Sequence, residues 1–217
     1  MKLYIYDHCP FCIRARMILG LRDVPLENIV LLNDDEDTPI GLIGAKQVPI
    51  LQKPDGSHMG ESLDIVRYID EFSGCETRLN ETIRPEIQAW FDRFMAYGNH
   101  LIQPRDIQIG LPEFATPEAI AYFQKKKESM LGSFEQNLTE TSKYLAQAEQ
   151  ELAQLDTLVK SSGYLNGENL SMEDIIIFPL LRNLSIVKGI QYPQNVLAYV
   201  QTMAEKAKID TYFDRAI

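Results

Sequence analysis

The stretch DHCPFCIRAR, residues 7–16, decides how this chain is read. Two cysteines three apart follow the apolar segment Leu3–Tyr6 and open a run with helical character. Pro10 suits the first helical position, where its missing N–H leaves no bond unmade. Spacing of i, i+3 puts both sulfurs on one side of the helix, near enough to close a small disulfide. A helix N-terminus offers free N–H groups and a positive dipole end, and both stabilise an anion. Cys9 is therefore expected to be a thiolate nucleophile of lowered pKa. Cys12, one turn further in, is expected to be the resolving thiol.

Two other readings of the pair carry less. A structural zinc site needs four ligands. The remaining candidates, Cys75, His8, His58 and His100, form no second paired motif, so no metal is expected. Two inert core cysteines would not call for a proline between them at a strand–helix junction. His8 reads as an exposed loop residue, with electrostatic tuning of the thiolate as the other reading. Cys75 reads as inert.

The bulk numbers narrow the class. The chain has 217 residues, enough for a real core. Its 21 basic against 31 acidic residues give a net charge of −10. That is no footprint for nucleic acid. No apolar run reaches about 18 residues, so no membrane span is expected. Met1-Lys2-Leu3-Tyr4 lacks a long apolar h-region, which makes the cytoplasm the expected location. Three cysteines are a poor disulfide framework, and in a reducing compartment Cys-x-x-Cys points to catalysis or metal.

Outward from the motif, the first part alternates element types. Lys2–Tyr6 reads as a strand and Cys12–Leu21 as a helix ending near Gly20. Asn28–Leu32 is a strand, and Thr38–Gly44 a short helix or turn. Pro49–Gln52 and Ser57–Met59 form a hairpin about Pro54-Asp55-Gly56. Glu61–Phe72 is helical, with Leu63, Val66, Ile69 and Phe72 on one face. The order β-α-β-α-β-β-α occupies residues 1–73, and residues 74–84 read as a polar linker. Residues 85–217 read as all-α. There Ile87, Trp90, Phe91 and Phe94 form a stripe expected to pack on the first part, or to wall a cleft. A long helical stretch from Pro117 to about Val159 breaks near Thr139–Ser142. Further helices are expected over Ser171–Lys188 and Pro193–Lys206.

Two more stretches of the first part bear on ligands. In Lys46-Gln47-Val48-Pro49-Ile50-Leu51 a proline precedes a strand. A cis bond there, inferred from the neighbouring redox pair, would turn the Val48 backbone N–H and C=O outward to a peptide-like ligand. In Gly60-Glu61-Ser62 a helix opens. Its N–H groups and the Ser62 hydroxyl could take a carboxylate, and Glu61 an ammonium. Glu and Ser are also simply good first-turn residues, and the stretch alone does not separate the two.

Taken together, CPFC, QVP and ES resemble the thioredoxin-fold domain of glutaredoxins and glutathione transferases, and the helical part resembles the transferase C-terminal domain. Ser171-Met172-Glu173-Asp174 resembles that family's N-capping box, with a structural role. MKLYIYDHCPFC, LLNDD, QVPILQK and FPLLRNL resemble the bacterial glutaredoxin 2 group, dithiol glutaredoxins on a transferase scaffold. Phe11 departs from the tyrosine usual there, but both thiols are kept.

The resemblance implies a glutathione-dependent thiol–disulfide oxidoreductase, with Cys9 as nucleophile and Cys12 as resolving thiol. It would act on protein disulfides and glutathionylated proteins. Glutathione would be co-substrate, with no permanent cofactor, and the protein a monomer. Val48 would pair with the cysteinyl part of glutathione beside cis Pro49. Glu61 and Ser62 would hold the γ-glutamyl end, and Gln47 or Lys46 the glycine carboxylate. Tyr6 lies near the site or in the strand core. The alternatives are conjugation of electrophiles by a transferase, which needs a hydroxyl donor to the glutathione sulfur, and a non-catalytic glutathione-binding docking module.

Overall fold

Alternating burial explains the first strand. In β1 (Lys2–Ile5) the side chains of Leu3 and Ile5 are buried and that of Lys2 is exposed. A computed structural model describes all 217 residues. It continues through α1 (Pro10–Leu21), β2 (Glu27–Val30), α2 (Asp37–Ile43), β3 (Ile50–Gln52), β4 (His58–Met59) and α3 (Ser62–Phe72). The sheet order is β2-β1-β3-β4. β1 runs parallel to β2, with Leu3 opposite Asn28, and antiparallel to β3, with Leu3 opposite Leu51. β3 and β4 form the expected hairpin. This is the small mixed sheet with helices of a thioredoxin-like unit, followed by a helical part.

The helical part contains α4 (Pro85–Met95), α5 (Gly98–Asp106), α6 (Pro117–Leu131), α7 (Phe134–Thr139), α8 (Thr141–Leu158), α9 (Met172–Leu184) and α10 (Gln194–Ala207). A 3-10 turn spans Pro112–Phe114. The long stretch after Pro117 breaks twice, not once. Gly132, at φ 73°, ends α6 before the second break at Glu140. α5 and the 3-10 turn went unread because neither has a long apolar period.

α9 explains how the two parts join. Every residue from Met172 to Leu184 is buried, which marks a central helix enclosed on all sides. Ser171 donates its N–H and its hydroxyl to Asp174, both at 2.9 Å. α1 packs against α3 on one side and against α9 and α10 on the other. One continuous apolar cluster thus runs from Leu3 through Cys12 and Phe178 to Tyr212.

One expectation is corrected in part. Within the stripe of α4, the Trp90 indole N–H donates to the Glu151 carbonyl at 2.7 Å, so Trp90 packs on α8, whereas the Phe91 ring lies toward the first part, its centroid 6.0 Å from the Arg14 guanidinium. The segment between α3 and α4 is tied to both parts. Asn80 bridges to Ser171, accepting the Met172 N–H at 2.8 Å, and Leu79 N–H donates to Asp70 at 3.1 Å.

Candidate active site

Cys9 is the N-cap residue of α1, with extended backbone (φ −73°, ψ 116°). It is 9% exposed, whereas Cys12 is fully covered, and both thiols are free. A hydrogen bond from the Cys12 thiol brings the Cys9 pKa down to about 6, against the effect of burial. The charge of His8 and the N–H groups of Cys12 and Phe11 act in the same direction. Burial pushes the Cys12 thiol well up, and the neighbouring Cys9 adds to this. The Cys12 sulfur also accepts the Tyr6 N–H at 3.5 Å. The pair is therefore asymmetric: one thiol of lowered pKa, and one that keeps its proton while Cys9 is charged.

Two hollows adjoin near Cys9, which lines the first of them. One, of about 260 Å³, is lined by Cys9, Tyr6, Asn99, Tyr122 and Lys127 among others. The other, of about 510 Å³, lies between Arg14 and the start of α3, with Pro49, Glu61, Ser62 and Arg67 on its wall. Phe11, Gln47 and Val48 border both. The ring of Phe11, 42% exposed, lies under the Arg14 guanidinium at 4.7 Å.

The Val48–Pro49 bond is cis. Neither the N–H nor the C=O of Val48 has a partner within the chain, so both are available to a ligand backbone. Glu61 sits in the left-handed region at φ 60°, ψ 102°, a conformation that a non-glycine residue holds at a cost of about 1 kcal/mol or more. Such strain concentrates where a ligand is gripped. The Gln47 side-chain amide donates to Glu61 at 3.0 Å. A Cβ at Gly60 would lie 2.9 Å from that amide nitrogen, so glycine lets Gln47 approach. The first N–H groups of α3, at Ser62 and Leu63, have no helical partners and border the same hollow.

Lys46 reaches the cleft, but its ammonium donates to the Tyr6 hydroxyl and the Asn33 carbonyl, both at 2.9 Å, and to the Asp35 carbonyl. Three donors meet three acceptors, so it offers a ligand charge but no unused N–H. Burial raises the Tyr6 pKa, and its hydroxyl faces Asn33 and Lys46, with no proton turned to the thiols.

His8 is the main correction. It is buried, not an exposed loop residue. Its ring stacks between Tyr6 and Phe114, with centroids at 5.7 and 5.1 Å. Its Nδ1 lies 2.6 Å from the Glu113 carboxylate, which also accepts the His8 backbone N–H at 2.9 Å. Sequence reasoning missed Glu113, Arg14, Tyr122 and Lys127. Lys125-Lys126-Lys127 was the one available signal, three cations together in an acidic chain, and it reads equally as a solvated helix face.

A thioredoxin-like sheet with a Cys-x-x-Cys at the first helix, backed by a transferase-like helical part, defines a dithiol oxidoreductase of the glutaredoxin type. Residues 86–216 match the family Glutaredoxin 2, C terminal domain, and residues 3–75 match Glutathione S-transferase, N-terminal domain. The chain is 45% identical to Glutaredoxin 2 of Escherichia coli K12 over 217 residues, all of both chains. The solved structure of Glutaredoxin 2 from Salmonella typhimurium, in complex with glutathione, superposes with a TM-score of 0.96. It is 44% identical and covers 100% of this chain and 98% of that one. Gtt2 from Saccharomyces cerevisiae shares the fold at 19% identity and a TM-score of 0.58, over 96% of this chain and 99% of that one. The chain belongs to the glutaredoxin 2 family, and its activity is that of a glutathione-dependent thiol–disulfide oxidoreductase. No helix is long and apolar enough to cross a membrane.

Proposed function

We propose that Cys9 carries the reaction as nucleophile and Cys12 resolves it. The Cys9 thiolate attacks the glutathionyl sulfur of a mixed disulfide. The S–S bond breaks, the substrate thiolate leaves, and a Cys9–glutathione disulfide forms. A second glutathione thiolate then attacks the glutathionyl sulfur, giving glutathione disulfide and the Cys9 thiolate. For a protein disulfide, Cys12 instead attacks Cys9 and releases the reduced substrate. The resulting Cys9–Cys12 disulfide consumes two glutathiones to reopen. The opposed pKa values of the two thiols carry this assignment.

Glutathione is the co-substrate in this reading, and the Salmonella relative's complex supports it. The cysteinyl backbone pairs with Val48 beside Pro49. The γ-glutamyl carboxylate takes the N–H groups of α3 and the Ser62 hydroxyl, while Glu61 faces the ammonium. Gln47 takes the glycine carboxylate, with Lys46 adding charge only. The substrates are disulfide-containing and glutathionylated proteins, and the chain works as a monomer in the cytoplasm, a reducing compartment. Residues 1–73 act as the redox domain and 85–217 as the helical domain, joined through 74–84.

Coupled reduction of a glutathione mixed disulfide, with glutathione and its reductase, tests the roles. Cys9→Ser should fall to background, while Cys12→Ser should keep activity on the glutathionylated substrate and lose it on a protein disulfide. Equal activity of wild type and Cys9→Ser would overturn the assignment.

A further inference from the structure

A buried acid–base cluster lies behind Cys9, and thiol exchange alone does not require it. Glu113 is fully buried and its Oε1 takes both His8 contacts, while its Oε2 has no partner. Asp106, from α5, is also buried and leaves its Oδ1 without a partner. Unpartnered buried carboxylate oxygens cost stability, and packing gives no reason to keep them. The Glu113 carboxylate puts negative potential on the imidazole of His8, the residue that precedes the nucleophile and borders the same cleft, and Asp106 adds to it once ionised.

We infer that Glu113 is a positioning residue: by holding His8 as an imidazolium beside Cys9, it lets the helical part of the chain keep the nucleophile ionised. This rests on Cys9 being the nucleophile. Burial alone would discharge the ring, but the Glu113 hydrogen bond and the charges of Asp106, Glu113 and Cys9 outweigh it and raise the His8 pKa. Desolvation raises the Asp106 pKa to about 7, with His8, Arg182 and Lys127 pulling it back. Lys127, of α6, also lies within the field of Cys9. The other faces of the ring are aromatic: Tyr6, Phe114 and Phe123. Without the Glu113 carboxylate, the buried imidazole loses the hydrogen bond that does most to keep it charged, and Cys9 loses the positive charge of His8.

The test is the pH profile of Cys9 alkylation by iodoacetamide, read by mass spectrometry at that residue. In Glu113→Gln the midpoint should rise by about one pH unit, and the rate at pH 6 should fall about fivefold. His8→Gln should give the same displaced profile, and adding Glu113→Gln to it should change nothing further. An unmoved midpoint in folded Glu113→Gln, or additive shifts in the double variant, overturns the inference. Should the variants not fold, the ¹⁵N shifts of the wild-type ring decide. An imidazolium persisting above the Cys9 midpoint supports the inference, and a neutral ring there sinks it. Cys9→Ser separates this from failure of the nucleophile assignment, which would appear as undiminished disulfide reduction in that variant.

Discussion

Asp106 carries a linkage that can be measured. Its carboxyl titrates near 7 in the fold, against about 3.9 in an unfolded chain. A raised acid pKa means the native state holds the proton longer, so this contribution to stability is full at low pH and is lost as pH rises from about 4 to 7. Chemical denaturation at pH 5 and pH 7.5 should show that Asp106→Asn loses less stability than wild type over that interval. An unchanged difference would mean that Asp106 does not titrate there. Residues differed sharply in how far they could be read. Cys9 and Cys12 were legible because their chemistry depends on local spacing and a helix end. His8 was not, because its partner Glu113 lies 105 residues along the chain and no local pattern announces it. The sequence does not show that Lys46 spends its donors on the Tyr6 hydroxyl and the Asn33 and Asp35 carbonyls, because only the fold brings these to it.

At the scale of elements, glycine shows how far a local pattern reaches. Gly20 marks the end of α1 near Leu21, as the sequence suggests. The real reason for glycine is contact: a Cβ there would lie 2.1 Å from the Ala207 carbonyl oxygen at the end of α10. Gly41, in α2, has nothing within 4 Å of the same added atom. One substitution should therefore have opposite signs in the two helices. Gly20→Ala should destabilise by about 1–3 kcal/mol through forced separation of α1 from α10. Gly41→Ala should stabilise by about 0.5–1 kcal/mol through helix propensity. Urea titrations of both variants decide, and a neutral Gly20→Ala would show that α10 shifts freely. The sequence order of strands and helices through Phe72 is readable because strand alternation, the Pro-Asp-Gly turn and the helical period of α3 are short-range signals, although the buried face of α3 is Ile65, Val66 and Ile69, with Leu63 half-buried and Phe72 exposed. α5 is not, since it lacks a long apolar period, and the break at Gly132 rests on local caps, the Gly132 turn and the Ser133 N-cap, inside a stretch whose composition favours a continuous helix.

At the scale of the molecule, the dithiol loop is held from the helical side. Arg182, buried in α9, donates to the Asp7 carboxylate and carbonyl, both at 2.8 Å. Tyr212 donates to the same carboxylate at 2.7 Å, and Arg16 pairs with it at 2.5 Å. Asn183 donates to the His8 carbonyl. Burial raises the Asp7 pKa, but Arg182 and Arg16 outweigh it and hold the carboxyl well below the usual range. The stabilisation is present above the unfolded carboxyl pKa and is lost only as pH falls below it. Asp7→Asn leaves a buried guanidinium facing a neutral amide and should cost about 3–5 kcal/mol in denaturant titration. A loss under about 1 kcal/mol would class the pair with exposed ion pairs.

The same ties set an order of events during synthesis. Residues 7–12 leave the ribosome early, but Glu113, Arg182, Asn183 and Tyr212 emerge 105 to 205 residues behind their partners. Until then the nascent chain displays both thiols with no fixed loop and no buried partner for His8. The share of thiolate reactivity that comes from His8 therefore waits for the finished polypeptide, while the Cys12 hydrogen bond and the first N–H groups of α1 are local to residues 9–12.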